Sequence, residues 1–107
     1  MIMREWRAEI HRDLGEEYLD YVRSTGRAGY RATPGNLGAV IATTDIDEDR
    51  SEIVTLSYWA SLDAIRAFAG EPVGKARYFP EDDKYLLTRP EKVTHYHATG
   101  EGAFDLP

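Results

Sequence analysis

From Ile2 to His11 apolar and polar positions alternate. Ile2, Trp6, Ala8 and Ile10 fall on one side, with Arg4 as the odd member, and Glu5, Arg7, Glu9 and His11 fall on the other. A period of two predicts a strand with one buried face. The period then becomes helical. Asp13 stands where an N-cap carboxylate can accept from a free backbone N–H, Glu16 follows at capping-box spacing, and Glu17 adds charge suited to a helix N-terminus. Leu14, Tyr18, Tyr21, Val22 and Thr25 form one stripe. Gly26 ends or bends this helix, a short helical turn follows through Tyr30, and Thr33-Pro34-Gly35-Asn36 reads as a turn.

Residues 37–44 and 52–59 read as strands joined by a short charged connection, which favours a hairpin. Alternation puts Val54, Leu56 and Tyr58 on one face of the second of these, expected under the helices, and turns Trp59 the other way. Ser61 is placed to cap a second helix with Leu62, Ile65, Phe68 and Ala69 as its buried stripe, stopped by Gly70 and Pro72. A helical piece is expected over 74–78, a further helical turn from Pro80 through Leu86, and a last strand over 91–98. The order β-α-β-β-α-β predicts an α+β, ferredoxin-like domain over residues 1–99, with 100–107 as a tail. Its four-stranded antiparallel sheet would carry both helices on one face. The other face is left for water or a partner.

A chain of 107 residues fills one domain with a thin stability margin, and pairing with a second copy is a common remedy. Thirteen Lys and Arg against nineteen Asp and Glu give a charge of −6, which repels a phosphate backbone; no nucleic-acid partner is expected. Arg23, Arg27 and Arg31, at four-residue spacing, read as a solvated helix face. The absence of cysteine excludes disulfides, thiolate metal sites and a cysteine nucleophile. The N-terminus lacks a signal peptide's apolar core, and no apolar run reaches the ~18 residues of a membrane span. A cytoplasmic protein without a membrane partner is expected. Walker, Gly-x-Gly-x-x-Gly and Gly-x-Ser-x-Gly motifs are missing.

The run Tyr58-Trp59-Ala60-Ser61-Leu62-Asp63-Ala64-Ile65-Arg66-Ala67-Phe68 resembles the strand-to-helix segment of the antibiotic-biosynthesis monooxygenase family. Tyr30 to Asn36 is similar to that family's entry to its second strand, and Tyr78 to Leu87, with His95-Tyr96, to an uncharacterised branch. The resemblance spans residues 2–98. It implies a homodimer whose two sheets pack face to face into a dimeric α+β barrel, with a pocket between sheet and helices in each subunit. Members include oxygenases that use neither metal nor flavin, quinol oxygenases and haem-degrading enzymes. The haem-degrading branch would need an Asn, a Trp and a His where this chain has Trp6, Phe68 and Tyr78. No cofactor is therefore expected.

Oxygenation without a cofactor needs a base, a donor for the developing oxyanion and a dry aromatic wall. His95 is the candidate base, because imidazole titrates near neutrality. Arg4, Arg66 or Arg77 can steady an anion, and Trp6, Tyr58, Trp59, Phe68, Tyr78 and Tyr96 can form the wall. Each has a plainer role as core or cover. His95 and His97 share a strand face, a spacing that suits a metal, but no third ligand is evident and no metal site is expected. Glu81-Asp82-Asp83 reads as the acidic start of a helical turn. Three functions fit: a cofactor-independent monooxygenase acting on a small aromatic or quinone-like metabolite, a non-catalytic dimeric binding or accessory protein for a hydrophobic metabolite, and a polyketide cyclase or isomerase.

Overall fold

A computed structural model describes residues 1–99, apart from the side chain of Arg27; the expected tail 100–107 lies outside the described residues. Four strands, β1 (Ile2–His11), β2 (Asn36–Asp45), β3 (Arg50–Trp59) and β4 (Thr94–His97), form one antiparallel sheet in the order β2-β3-β1-β4. One helical run follows β1: a 3-10 turn at Arg12–Leu14, α1 (Gly15–Val22), a π turn at Arg23–Arg27 and α2 (Ala28–Ala32). After β3 comes α3 (Leu62–Ala69). This is the ferredoxin-like α+β architecture predicted from the element order.

Several local expectations are corrected. Asp13 caps nothing: it sits inside the 3-10 turn, and α1 starts after Leu14 without a side-chain cap. The end of β1 runs straight into that turn, and Arg12 N–H is satisfied by the Asp49 carbonyl at 3.0 Å. Segment 74–78 is not helical. It pairs instead with 91–93, through Ala76 N–H to Glu91 O and Val93 N–H to Gly74 O, both at 2.8 Å. That pairing removes 91–93 from the last strand, which keeps only Thr94–His97. Of the turn expected through Leu86, only Asp82–Lys84 is helical. Leu62 is exposed rather than part of the α3 stripe, whereas the Ser61 cap forms as expected, its hydroxyl accepting from Ala64 N–H at 3.2 Å.

The larger correction concerns the faces of β3. Ser51, Ile53, Thr55, Ser57 and Trp59 are buried beneath the helices, and Val54, Leu56 and Tyr58 take the opposite, half-buried face. The reason lies in β1. Register pairs Arg4 with Ser57, Trp6 with Thr55 and Ala8 with Ile53, so the β1 face that carries Ala8 and Ile10 brings the odd residues of β3 with it. Trp59 is fully buried against Phe68 and Tyr30, ring centroids 5.6 and 6.0 Å away, and its Nε1–H donates to Ser57 Oγ at 2.8 Å.

The buried interior is divided. One cluster gathers Ala8, Ile10, Tyr18, Val22, Ile53 and Tyr85, with Trp6 packed on it. The other gathers Tyr30, Ala39, Trp59, Ile65 and Phe68. Between them the sheet supplies polar residues, Arg4, Thr55 and Ser57, all buried. No helix among the described residues is long and apolar enough to cross a membrane.

Candidate functional site

A cavity opens along that seam. Its floor is the sheet, with Arg4, Trp6 and Thr55; Tyr18, Val22, Thr25, Gly26 and Tyr30 wall it from the first helical run, and Phe68 from α3. The connection between α3 and β4 closes the rest with Arg77, Phe79, Asp82 and Val93. The space is tight. A water molecule's centre can move through about 40 Å³, within about 470 Å³ of empty volume counted out to the open mouth. One water needs roughly 10–15 Å³ of such space, so the enclosed part takes about three waters and a ring must reach out into the open mouth, which leaves no room for a fused system.

The π turn contributes to this shape. It interrupts the helical run where Thr25 and Gly26 face the cavity, and such bulges recur at functional sites. Thr25 Oγ1 donates back to Tyr21 O at 2.8 Å, which leaves its methyl group as the remaining side-chain surface.

Two buried charges belong to the wall, and no ion pair joins them. Arg4 is 3% exposed. Its Nη1 donates to Val73 O at 2.8 Å and approaches His95 Nε2 at 3.0 Å, and its Nη2 donates to Lys75 O at 3.0 Å. Among the described residues no carboxylate pairs with it, and burial lowers its pKa from the usual guanidinium value. Asp82 is 4% exposed. It accepts from Tyr18 O–H at 3.0 Å and from Phe79 N–H at 2.6 Å, and makes no ion pair among the described residues. Burial, then the charge of Asp82, pushes the Tyr18 phenol far up, so Tyr18 stays protonated and donates. Tyr30, also buried, is raised by burial more than Arg4 lowers it.

The residues singled out from sequence scatter over three places. Trp6, Phe68 and Arg77 line the cavity. Arg77 is exposed on one side, lies 4.7 and 4.8 Å from the Phe68 and Phe79 ring centroids and donates to Phe68 O at 2.9 Å, so it marks the mouth. Three others stand behind the wall. Tyr78 meets Trp6 edge-on with centroids 6.1 Å apart, accepts from Trp6 Nε1–H at 3.3 Å and borders a wider surface groove with Lys75, Arg89 and Lys92. Trp59 is core. His95 backs Arg4. Because a guanidinium only donates, His95 Nε2 is the acceptor and its proton sits on Nδ1; burial, then the Arg4 charge, lowers its pKa and keeps it neutral. Tyr58 and Tyr96 lie on the far face of the sheet, each paired in register with Met3. His97 is exposed, and no three His, Asp or Glu side chains converge as metal ligands among the described residues.

Sequence reasoning missed Tyr18, Tyr30, Thr55, Phe79 and Asp82. A signal existed for Thr55: it alternates in step with Ile53 and Trp59, so a hydroxyl shares the strand face of two large apolar residues. Asp82 was read as helix-start chemistry, and nothing local connects it to Tyr18, sixty-four residues away.

The far face of the sheet carries Met3, Val40, Val54, Leu56 and Tyr58 in adjacent register, with exposed Leu37 and Tyr96 beside it. At one end it gives way to a charged ladder, with Arg7 to Glu52 at 2.5 Å and Arg50 to Glu9 at 2.6 Å.

The same architecture occurs in a candidate antibiotic biosynthesis monooxygenase from Bacillus cereus. The two match with a TM-score of 0.61 over 96% of this chain and 97% of that one, at 11% identity. At that identity the likeness speaks for the fold. No curated protein matches the sequence. The sequence model of the antibiotic biosynthesis monooxygenases matches residues 1–76, which include β1 to α3 and the sheet floor of the cavity. The chain belongs to the antibiotic biosynthesis monooxygenase family.

Proposed function

We propose that the chain is a homodimeric monooxygenase that oxidises a small, electron-rich aromatic such as a hydroquinone or phenol, with dioxygen as oxidant and no resident metal or flavin. One observation carries the reading: one aromatic-walled cavity holds a buried carboxylate and a buried guanidinium, neither of which makes an ion pair among the described residues. Asp82 accepts the proton of the bound hydroxyl, a general-base role. Tyr18 O–H keeps the carboxylate oriented. The ionised ring then passes an electron to dioxygen, and the radical pair recombines at ring carbon as a hydroperoxide. Loss of water leaves a carbonyl, so that one oxygen atom enters the product and the other leaves as water. Trp6, Tyr30, Phe68 and Phe79 hold the ring and keep bulk water out. His95 has its Nε2 lone pair turned to Arg4, which makes it a support for the arginine rather than the base.

The second copy covers the apolar far face of the sheet. That face would otherwise leave a contiguous patch of Met3, Val54, Leu56 and Tyr58 open to water.

Oxygen uptake with a panel of hydroquinones and single-ring phenols tests the reading. Consumption above the uncatalysed rate, abolished in Asp82→Asn, is expected. Ligand binding with no uptake from any member would assign the chain a non-catalytic binding or accessory role instead. Product isomerised or cyclised without oxygen consumption would assign a cyclase or isomerase.

A further inference from the structure

We infer that the cavity selects aromatic ligands that carry an ionised oxygen, a carboxylate or a phenolate, and that Arg4 is the group that holds it. The inference rests on the reading that this cavity is the ligand site. Arg4 is the one buried cation among the described residues. Among the described residues every ion pair to an arginine lies at the surface and involves another arginine, from Arg7 to Arg89. A guanidinium removed from water without an acid partner is costly, and polar carbonyls offset the cost only in part. The three contacts of Arg4 use both N–H groups of Nη1 and one of Nη2. Its Nε–H takes part in no hydrogen bond among the described residues, and it is not a sealed polar atom. Two N–H groups, Nε–H and the second of Nη2, and one positive charge without an acid partner among the described residues therefore stand at the cavity floor. Next to them stand Trp6 and Thr55, one step along the sheet.

The neighbours of Arg4 agree with this role. The two carbonyls and the imidazole are neutral acceptors, which hold the side chain in place and leave its charge uncompensated. His95 is a positioning residue: its lone pair faces Nη1 and its neutral form adds no competing cation. Asp82 lies in the same wall but makes no ion pair with Arg4, so it does not fill the place of the anion. A carboxylate or phenolate oxygen at Nε–H would supply the missing charge in a site shielded from salt, where such a bond is strong.

A simple structural clamp would look similar in one respect, since Arg4 ties residues 73 and 75 to the sheet. The two roles separate in binding. Titration of ¹⁵N-labelled wild-type protein with benzoate and with benzamide compares near-isosteric charged and neutral ligands. Benzoate is expected to bind at least about tenfold more tightly and to shift the Arg4 Nε–H resonance. A second arm uses 4-nitrophenol, whose yellow phenolate reports its own ionisation. An apolar cavity raises a bound phenol's pKa; a neighbouring guanidinium lowers it. A fall on binding supports the inference, and a rise overturns the phenolate half. Equal affinity for benzoate and benzamide, or tighter benzamide binding, overturns the carboxylate half. Arg4→Met should remove both effects. Should that variant fail to fold, the wild-type comparisons decide alone. Neither readout involves oxygen, so selection of anions without oxygen uptake would sink the proposed reaction and leave the inference standing. Uptake without selection would do the reverse.

Discussion

The exchange of roles between Tyr58 and Trp59 has a measurable consequence. Truncating Trp59 to Ala removes an indole that is fully buried, tilted against Phe68, edge-on to Tyr30 and hydrogen-bonded to Ser57. Large aromatic deletions from such sites cost about 3–5 kcal/mol, because the lost transfer energy is compounded by the void left behind. With a urea slope of about 1.5 kcal/mol/M, ordinary for a small domain, the midpoint falls by about 2–3 M. That is a large share of the ~5–15 kcal/mol that keeps a domain folded, and complete loss of the folded baseline would agree with it. Tyr58→Ser removes a half-buried side chain from the far face, where a second subunit is proposed to sit. Its effect should therefore appear in the concentration dependence. The wild-type midpoint should rise with protein concentration, and the Tyr58→Ser midpoint should be lower and less sensitive to it, since mass action stabilises only what associates. Equilibrium unfolding followed by tryptophan fluorescence and far-UV circular dichroism, at two concentrations roughly 100-fold apart, reads all of this. A Trp59→Ala shift smaller than that of Tyr58→Ser at both concentrations would refute the face assignment. A wild-type midpoint indifferent to concentration, with a monomer mass in solution, would refute the dimer.

Three further outcomes can be checked. Gly35 holds φ at +91°, and a Cβ there would lie 2.6 Å from the Ala64 Cβ; Gly35→Ala combines backbone strain with overpacking and should cost about 2–4 kcal/mol in thermal or urea unfolding, a loss below about 0.5 kcal/mol arguing against the tight turn-to-helix approach. Ser57→Ala leaves the buried Trp59 Nε1–H without its acceptor and should destabilise by about 1–3 kcal/mol, whereas Ser57→Thr, which keeps the hydroxyl, should recover part of it. The folded-state pKa of His95 lies below its ordinary 6.5. The unfolded chain therefore binds the proton first, so His95 lowers stability as pH falls through the window below 6.5. His95→Gln should flatten the stability slope between about pH 7 and 5, and an unchanged slope would show that His95 takes up its proton as readily folded as unfolded.

The fold was legible because its signals are local and repeated. Ile2 to His11 alternates cleanly, Ser61 caps where it stands, and the helical stripe through Tyr18 and Val22 survives in the buried layer. Arg4 was visible as the odd member of an apolar row, and that row is the buried one. β3 misled for a physical reason. Its even face, Val54, Leu56 and Tyr58, is more apolar than its odd face, and alternation normally buries the more apolar set. Here the polar hydroxyls of Thr55 and Ser57 line the interior seam, and the apolar set faces the side open to a partner. The connection from Pro72 to Val93 was illegible because its order comes from distant partners. Arg4 binds its carbonyls, Tyr18 meets Asp82 and Tyr78 meets Trp6. No window of neighbouring residues contains those pairs.

The divided core explains why the same residues serve both fold and site. A domain of this size gains stability by joining all its buried apolar groups, yet here a polar band separates two aromatic clusters and holds a cavity between them. Filling the band with apolar residues would merge the clusters, and replacing a buried charge by packed hydrophobic groups is often neutral or stabilising. A variant with Arg4→Leu and Thr55→Val should thus be at least as stable as a variant that loses only the Arg4 charge, while losing discrimination between benzoate and benzamide. If the double variant were instead far less stable than the single one, the band would have to be a structural requirement of the sheet. The cavity would then be its by-product rather than its purpose.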